Sequence, residues 1–397
     1  MSFLSDIIII GAGPAGLAFA RYFKGTDLKI VMIDKADLTD IQDPAYDGRE
    51  IALTHHSKEI LQDLGVWQRF GHDEIYPLKD AKVYNGGFDY DLHFTVPKDL
   101  QRLSSIDRLG NLISNHNIKK ALYDEVKELP NVQLLTAVSV NSIHIDDTMA
   151  KITLNDGTIL TTKLIIGADS RMSYVRRTLG IGAHMNDFGR TVVVFRVRHT
   201  QSNQATAQEC FFDGRTLALL PLQDDLTNCV ITLDNHQAKE LLSKSPNELA
   251  KEAQRMMGDK LGACTIAGTV HHYPLMGVHA NTFIAKRAAL IGDAAVGMHP
   301  VTAHGYNLGL MSVDTLGKLI IKAYHDDLDI ASDALLHKYN LQHQAHTRPL
   351  YHGTNMMVSL FTTQTRPMRI LRDATLRISN NLPPVKRWIT SQLTGKS

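Results

Sequence analysis

Apolar and polar positions follow three different rhythms along this 397-residue chain. Asp6 to Ile10, Leu28 to Ile33, Leu164 to Gly167 and Ala288 to Ile291 are near-continuous apolar runs. Such runs suit parallel strands buried on both faces. Leu17 to Phe23, a stretch ending near Trp67, Asn111 to Val126 and the segment from Leu308 carry helical spacing. Asn111 to Val126 would align Ile113, Ile118, Leu122 and Val126 on one face. Val132 to Ala137, Ser139 to Ile145 and Ala150 to Leu154 read as strands, with Asn155-Asp156-Gly157 as a hairpin turn.

A third rhythm marks an inserted block. Thr191 to Val197, Glu209 to Asp213, Thr216 to Pro221 and Asn228 to Leu233 alternate or run apolar at short intervals, as an antiparallel sheet does. Asn235 to Ser243 and Pro246 to Met257 read as helices covering that sheet, the second opened by a Ser-Pro signal. Val83 to Phe88 and Tyr90 to Phe94 read as short strands around Gly86-Gly87. From Ala331 the pattern is largely helical.

Composition narrows the class. Apolar content of 44% and charged content of 21% are those of an ordinary globular protein. A formal net charge of +1 argues against nucleic acid as the partner. Three separated cysteines suit a reducing compartment, and nineteen histidines show no metal-ligand spacing, so no metal is expected. The amino terminus lacks a basic n-region and no run reaches the ~18 apolar residues of a membrane span, so a cytoplasmic location is expected.

Two segments carry chemistry. Directly after the first apolar run stands Gly11-Ala12-Gly13-Pro14-Ala15-Gly16, followed by a helix, a second strand and Asp34. Gly11 permits the turn, Gly13 admits a pyrophosphate to backbone amides, and Gly16 lets helix and strand approach; Asp34 is placed for a ribose diol. NAD and FAD both satisfy this motif. Far along the chain, Ile291-Gly292-Asp293 again ends an apolar run in an acid, then His299-Pro300, His304-Gly305 and Asn307 lead into a helix. A strand, an acid and a loop feeding a helix N-terminus suit a phosphorylated, sugar-bearing ligand.

Between them lies a third such signal, Gly167-Ala168-Asp169 leading to Arg176-Arg177. The three together resemble the single-component, FAD-dependent aromatic hydroxylases built like p-hydroxybenzoate hydroxylase. Arg49-Glu50-Ile51-Ala52-Leu53 with His299 to Gly309 is most similar to the ubiquinone-biosynthesis flavin hydroxylases, in their demethoxyubiquinol hydroxylase branch. The resemblance implies an α/β fold: a Rossmann-like FAD-binding domain (1–75, 108–187 and 276–340), an inserted antiparallel-sheet substrate domain (76–107 and 188–275) and a C-terminal basic helical region (341–397).

It also implies roles. Gly11, Gly13, Pro14, Ala15 and Gly16 would hold the FAD pyrophosphate, Asp34 with Lys35 the adenosine ribose, and Arg49 would lie against the cofactor. Gly292 and Asp293 would bind the ribityl or pyrophosphate region, with Gly305, Tyr306 and Asn307 near the isoalloxazine edge. Asp169 and Arg176 would serve FAD and the transient nicotinamide donor. This sequence departs from the pattern where Asp169-Ser170 replaces Asp-Gly, where Thr302-Ala303-His304-Gly305 replaces Ala-Gly-Gln-Gly, at Val296 for His, and at Ser312 for a later Asp. His304 thus becomes the candidate catalytic residue, as a proton-transfer group or hydrogen-bond donor.

The implied reaction uses FAD, NAD(P)H as transient reductant and O2 as co-substrate. A flavin hydroperoxide would hydroxylate the ring of a lipophilic aromatic or quinol substrate. Eight Lys or Arg stand between Arg348 and Ser397 against one acid, Asp373, interleaved with apolar residues. That pattern fits a membrane surface, peripheral on the inner membrane, or a ubiquinone-biosynthesis complex, and equally a solvated face of a packing helix. Other readings are a hydroxylase of a small soluble aromatic, a flavin reductase of the same fold, and an FAD-bearing assembly subunit.

Overall fold

The structure, a computed structural model, describes residues 3–85, 91–96, 106–212, 214–298 and 304–362. Gly86-Gly87, His299-Pro300, Thr302-Ala303 and the basic stretch beyond Thr362 lie outside the described residues.

Strand β1 (Phe3–Ile10) is the centre of the first sheet. It pairs in parallel with β2 (Ile30–Ile33) on one side and with Ile159–Gly167 on the other. Val132–Leu135 extends the sheet beyond β2, and Ala288–Leu290 extends it beyond Ile159–Gly167, both in parallel. Ile7, Ile8 and Ile9 are fully buried, as expected of a central strand of a parallel sheet. The order Ala288, Ile159, β1, β2, Val132 brings the carboxyl ends of β1, β2 and two sequence-distant strands to one edge, where an open parallel sheet binds ligands.

Helix α1 (Pro14–Tyr22) leaves that edge immediately after β1, with Leu17, Ala18, Phe19 and Ala20 fully buried. The Gly305–His325 helix runs beside it. The Tyr22 hydroxyl donates to Asp314 Oδ1 at 3.2 Å, and a Cβ on Gly317 would stand 2.6 Å from the Tyr22 ring. The Asp333–Thr362 helix anchors to the sheet where the buried Tyr339 hydroxyl donates to the Leu290 carbonyl at 2.7 Å.

The second sheet is the inserted block, in the order 296–297, 264–280, 183–199, 226–234, 215–221, 206–212, 80–85, 91–94. Its pairs are antiparallel except one: Thr206–Phe212 lies parallel to Asp80–Asn85, joining the two sequence-separated halves. One face buries Val193, Phe195, Val197, Leu217 and Ile231 against the Asn235–Leu242 and Pro246–Met256 helices. The second helix starts with a capping box, in which Ser245 and Glu248 satisfy each other's backbone amides. The alternate positions, Val192, Val194, Arg196, Asn228 and Val230, form the opposite face.

One helix start differs from the expectation. Asn111 to Ser114 is not helical: Gly110–Ser114 is a wholly buried strand, paired with β3 (Glu50–Leu53) and with Tyr76–Leu78. The helix is Asn115–Val126, capped by Ser114, whose hydroxyl accepts the Asn117 amide at 3.2 Å. Ile113 satisfies helical periodicity, but it sits in a short apolar run, where period alone does not separate strand from helix.

Candidate functional site

The first half of the site is the turn from β1 into α1. Gly11 has φ +111°, and a Cβ there would lie 2.4 Å from the Ala168 carbonyl oxygen. A Cβ on Gly16 would lie 2.0 Å from the Gly11 carbonyl oxygen. Both glycines are demanded by protein packing. Gly13 differs, because no atom of the described residues stands within 4 Å of its Cβ position. No side chain caps α1 and its first turn holds no acid. The first amides of the helix, those of Ala15 and Gly16, have no intrahelical acceptor and lie at its positive end, with Pro14 supplying a fixed first turn.

Asp34, half-buried at the end of β2, ties this turn down. Its Oδ2 accepts the Ala12 amide at 2.6 Å and its Oδ1 the Ala36 amide at 2.8 Å. Each carboxylate oxygen retains a lone pair for a ribose hydroxyl. Lys35 is exposed beside it.

The second half comes from the other end of the chain. Gly292 has φ +58° and sits so close to the first turn that a Cβ would be 2.7 Å from that of Ala15. The Ser312 hydroxyl joins this segment to the following helix, accepting the Gly292 amide at 3.1 Å and donating to the Gly309 carbonyl at 2.6 Å. A serine thus fills the position where the resemblance has an acid. Asp293 Oδ2 accepts from Arg171 Nε at 2.9 Å, and Arg171 also donates to the Met276 carbonyl at 3.0 Å. Among the described residues nothing lies within 4 Å of a Cβ on Gly305, and the Gly305–His325 helix has neither a side-chain cap nor a first-turn acid. His304 is its N-cap residue. Asn307 locks the helix to β3, accepting the Thr54 amide at 3.1 Å and donating to the Ala52 carbonyl at 2.9 Å. The Tyr306 hydroxyl is buried without a hydrogen-bond partner among the described residues, and burial pushes its acidity down.

The middle motif is turned inward. Asp169 Oδ1 accepts from the Ser173 hydroxyl at 2.5 Å, and Oδ2 accepts the Tyr174 and Val175 amides at 2.6 and 3.0 Å. Ser170 adopts φ +81°, the conformation that a glycine would take without cost. Arg176 is 2% exposed, and its guanidinium donates to the carbonyls of Arg171 and Ala294 at 2.9 and 3.2 Å. It fastens the middle motif to the Asp293 segment. Arg49 is held by Asp47, at 2.5 Å from Oδ2, and Asn115 holds the same carboxylate oxygen at 2.7 Å. Burial lowers the Arg49 guanidinium, the Asp47 carboxylate more than offsets this, and Tyr273 and Asp293 lie within electrostatic range. The structure therefore brings Gly292 against the first turn, Asp293 within electrostatic range of Arg49, and the Gly305–His325 helix onto β3, with Arg176 tied to the Ala294 carbonyl.

A family model described as an FAD binding domain matches residues 5–352. Over 395 residues the chain is 52% identical to the ubiquinone hydroxylase UbiM of Neisseria meningitidis, covering 100% of this chain and 86% of that one. The chain belongs to this family of FAD-dependent monooxygenases. It is also 26% identical to the 3-demethoxyubiquinol 3-hydroxylase of Escherichia coli, covering 98% of each chain. Among solved structures, the p-nitrophenol 4-monooxygenase PnpA of Pseudomonas putida superposes with a TM-score of 0.79 over 100% of both chains, at 17% identity. That likeness establishes the p-hydroxybenzoate hydroxylase-like fold. The residues fit FAD: the open Cβ positions at Gly13 and Gly305 leave backbone amides accessible, and Asp34 and Asp293 offer acceptors on either side.

Several buried or paired polar residues were not legible in sequence. Arg171 stands inside the middle motif, but its partner Asp293 is 122 residues away. Glu50 is buried beside Arg49 and accepts from Arg196 Nη2 at 2.6 Å and from the Tyr46 hydroxyl at 3.1 Å. Burial pushes its carboxyl up, with Arg196 opposing. Glu209 shares a register position with Val83 and Ala218, and burial pushes its carboxyl up to about 8. An acid in an alternating strand reads as an outward residue unless the layer covering it is known.

Proposed function

We propose that this monooxygenase hydroxylates the aromatic ring of a polyprenyl phenol or quinol intermediate of ubiquinone biosynthesis, with demethoxyubiquinol as the expected substrate. The observation that carries the reading is the chain-long identity of 52% to a relative named as a ubiquinone hydroxylase.

When bound, FAD supplies the passage of electrons from NAD(P)H to dioxygen. The chain's own residues bind and orient. The amides of Gly13, Ala15 and Gly16 hold the pyrophosphate, Asp34 the adenosine ribose, and Asp293, aimed by Arg171, a ribityl hydroxyl. The Gly305–His325 helix directs its N-terminal amides at the ring edge, where they stabilise negative charge. The apolar sheet face of Val192, Val194 and Val230 keeps water from the reacting ring. His304 holds or moves a proton there. With a single dinucleotide turn in the chain, the nicotinamide is a transient reductant.

So apolar a substrate is collected from a lipid surface. Among the described residues no helix is long and apolar enough to cross a membrane, which accords with peripheral attachment through the basic C-terminal stretch.

The test is isotopic. FAD-replete enzyme with NAD(P)H, labelled dioxygen and a short-chain demethoxyubiquinol should place one labelled oxygen atom in the product. Oxidation of NAD(P)H with no label in that quinol or in small phenols would refute the assignment.

A further inference from the structure

Where the small three-stranded sheet that contains β3 meets the second, inserted sheet, three buried polar atoms have no partner among the described residues. They are Glu50 Oε2, Arg196 Nε and Asn228 Oδ1. The Glu50 side chain is 0% exposed and Asn228 is 0% exposed. Arg196 and Asn228 are directly paired on adjacent strands, so they share one face of the substrate sheet. Arg196 Nη2 donates to Glu50 Oε1, Tyr46 donates to the same oxygen, and the Arg196 guanidinium lies 4.6 Å from the Tyr46 ring centroid. Asn228 Nδ2 donates to the Gly48 carbonyl at 3.1 Å, which fixes the orientation of the amide and leaves Oδ1 as an acceptor.

The ion pair therefore uses Oε1 of Glu50 and Nη2 of Arg196 and leaves Glu50 Oε2 and Arg196 Nε unmet among the described residues. Buried polar atoms in a folded protein are almost always hydrogen-bonded, so a concentration of unmet ones across a domain seam asks for a ligand. The set holds two acceptors and one N–H donor. A hydroxyl group, which donates and accepts at once, complements it; a hydrocarbon does not.

The surroundings say which hydroxyl. Two and four residues before Arg196 on the same strand face stand Val194 and Val192, part of an apolar patch with Leu275, Val230 and Tyr273. Glu50 follows Arg49 in the chain, and the β3 carbonyl of Ala52 is bonded to Asn307 at the start of the Gly305–His325 helix. An apolar floor with a polar corner, bordering the flavin crevice, matches an aromatic ring bearing an oxygen on one edge.

We propose that Glu50, Arg196 and Asn228 form a hydrogen-bonding subsite for a ring hydroxyl of the aromatic substrate, positioning that ring at the flavin. The hydroxyl donates to Glu50 Oε2 and accepts from Arg196 Nε–H. This rests on the ring-hydroxylase reading, and the experiment separates the two.

Oxidised holoenzyme is titrated, by the change in flavin absorbance, with a short-chain prenylated phenol and with the same compound methylated at its hydroxyl. Wild type should bind the phenol on the order of tenfold more tightly than the ether, as a hydrogen bond to a charged group implies. In Glu50→Gln that ratio should fall to about two or less, at unchanged FAD content. Arg196→Lys keeps a cation for Glu50 but removes Nε–H, and should lower the ratio too. An unchanged ratio in both variants would mean that the cluster holds only water and would overturn the subsite. Wild-type enzyme binding neither compound would instead overturn the substrate class and the subsite with it.

Discussion

Arg171 and Asp293 are 122 residues apart in the chain and meet at 2.9 Å, with the same guanidinium donating to the Met276 carbonyl. The arginine thereby aims a carboxylate that would otherwise be free to turn into the crevice mouth.

Asp293→Ala removes the acceptor itself and should yield protein purified largely without FAD. Arg171→Met should leave a folded enzyme whose FAD dissociates about tenfold more readily, the scale of one charged hydrogen bond. Flavin absorbance after gel filtration reads both. A fully flavinated Asp293→Ala protein would contradict the role of this residue.

Gly13 and Gly16 should respond oppositely to alanine. Gly16→Ala drives a Cβ onto the Gly11 carbonyl at 2.0 Å, an overpacking against backbone at or beyond the upper end of ~1–3 kcal/mol, so the melting temperature should fall. Gly13→Ala meets no atom of the described residues within 4 Å and keeps φ −74°, so the apoprotein should melt near wild type while FAD binding is lost. Equal melting of all three apoproteins would show that the turn is more compliant than its geometry implies.

His304, at the N-cap of the Gly305–His325 helix, is tested through turnover rather than cofactor content. If it transfers a proton, His304→Gln should lower turnover by ~10²-fold or more, with FAD retained. Wild-type turnover across pH would remove it from the chemistry.

Stability should fall in acid through a buried histidine pair. His343 and His279 are 2% and 3% exposed, between the Cys264–Ala280 strand and the Asp333–Thr362 helix. Burial, with His346 and His279 adding, holds His343 down to about 3; burial likewise holds His279 down to about 4. In the unfolded chain both titrate near 6.5, so between 6.5 and these values the unfolded state binds more protons. The stability is complete above pH 6.5 and is lost as pH falls, by ~1.4 kcal/mol per unit for each group. His343→Leu should flatten that slope in melting curves taken between pH 4 and 7. A slope identical to wild type would place the acid sensitivity elsewhere.

Membrane attachment should reside beyond Thr362. Tyr351 and Val358 are each 3% exposed, so cutting earlier would strip buried residues from the Asp333–Thr362 helix. A chain ending at Thr362 should keep FAD but lose flotation with anionic liposomes, whereas the full chain floats. Equal flotation would exclude the basic stretch as the anchor.

The local order of residues determined much of this protein. A strand that is apolar on both faces needs no distant partner to be recognised, and Gly11-Ala12-Gly13-Pro14-Ala15-Gly16 with Asp34 encodes its function in neighbouring positions, because backbone conformation is a short-range property. The sheet alternation and the Ser245 cap were legible for the same reason. Only the tertiary structure decided which polar side chains face one another. Arg176 reads as a site residue and is a buried fastener; Ser312 reads as a lost acid and bonds Gly292; Glu50 reads as a neighbour of Arg49 and is half of an ion pair with Arg196 across 146 residues. Hydrogen bonds and burial depend on distance in space, and this chain makes those distances by folding an inserted sheet back over a crevice built from its two ends.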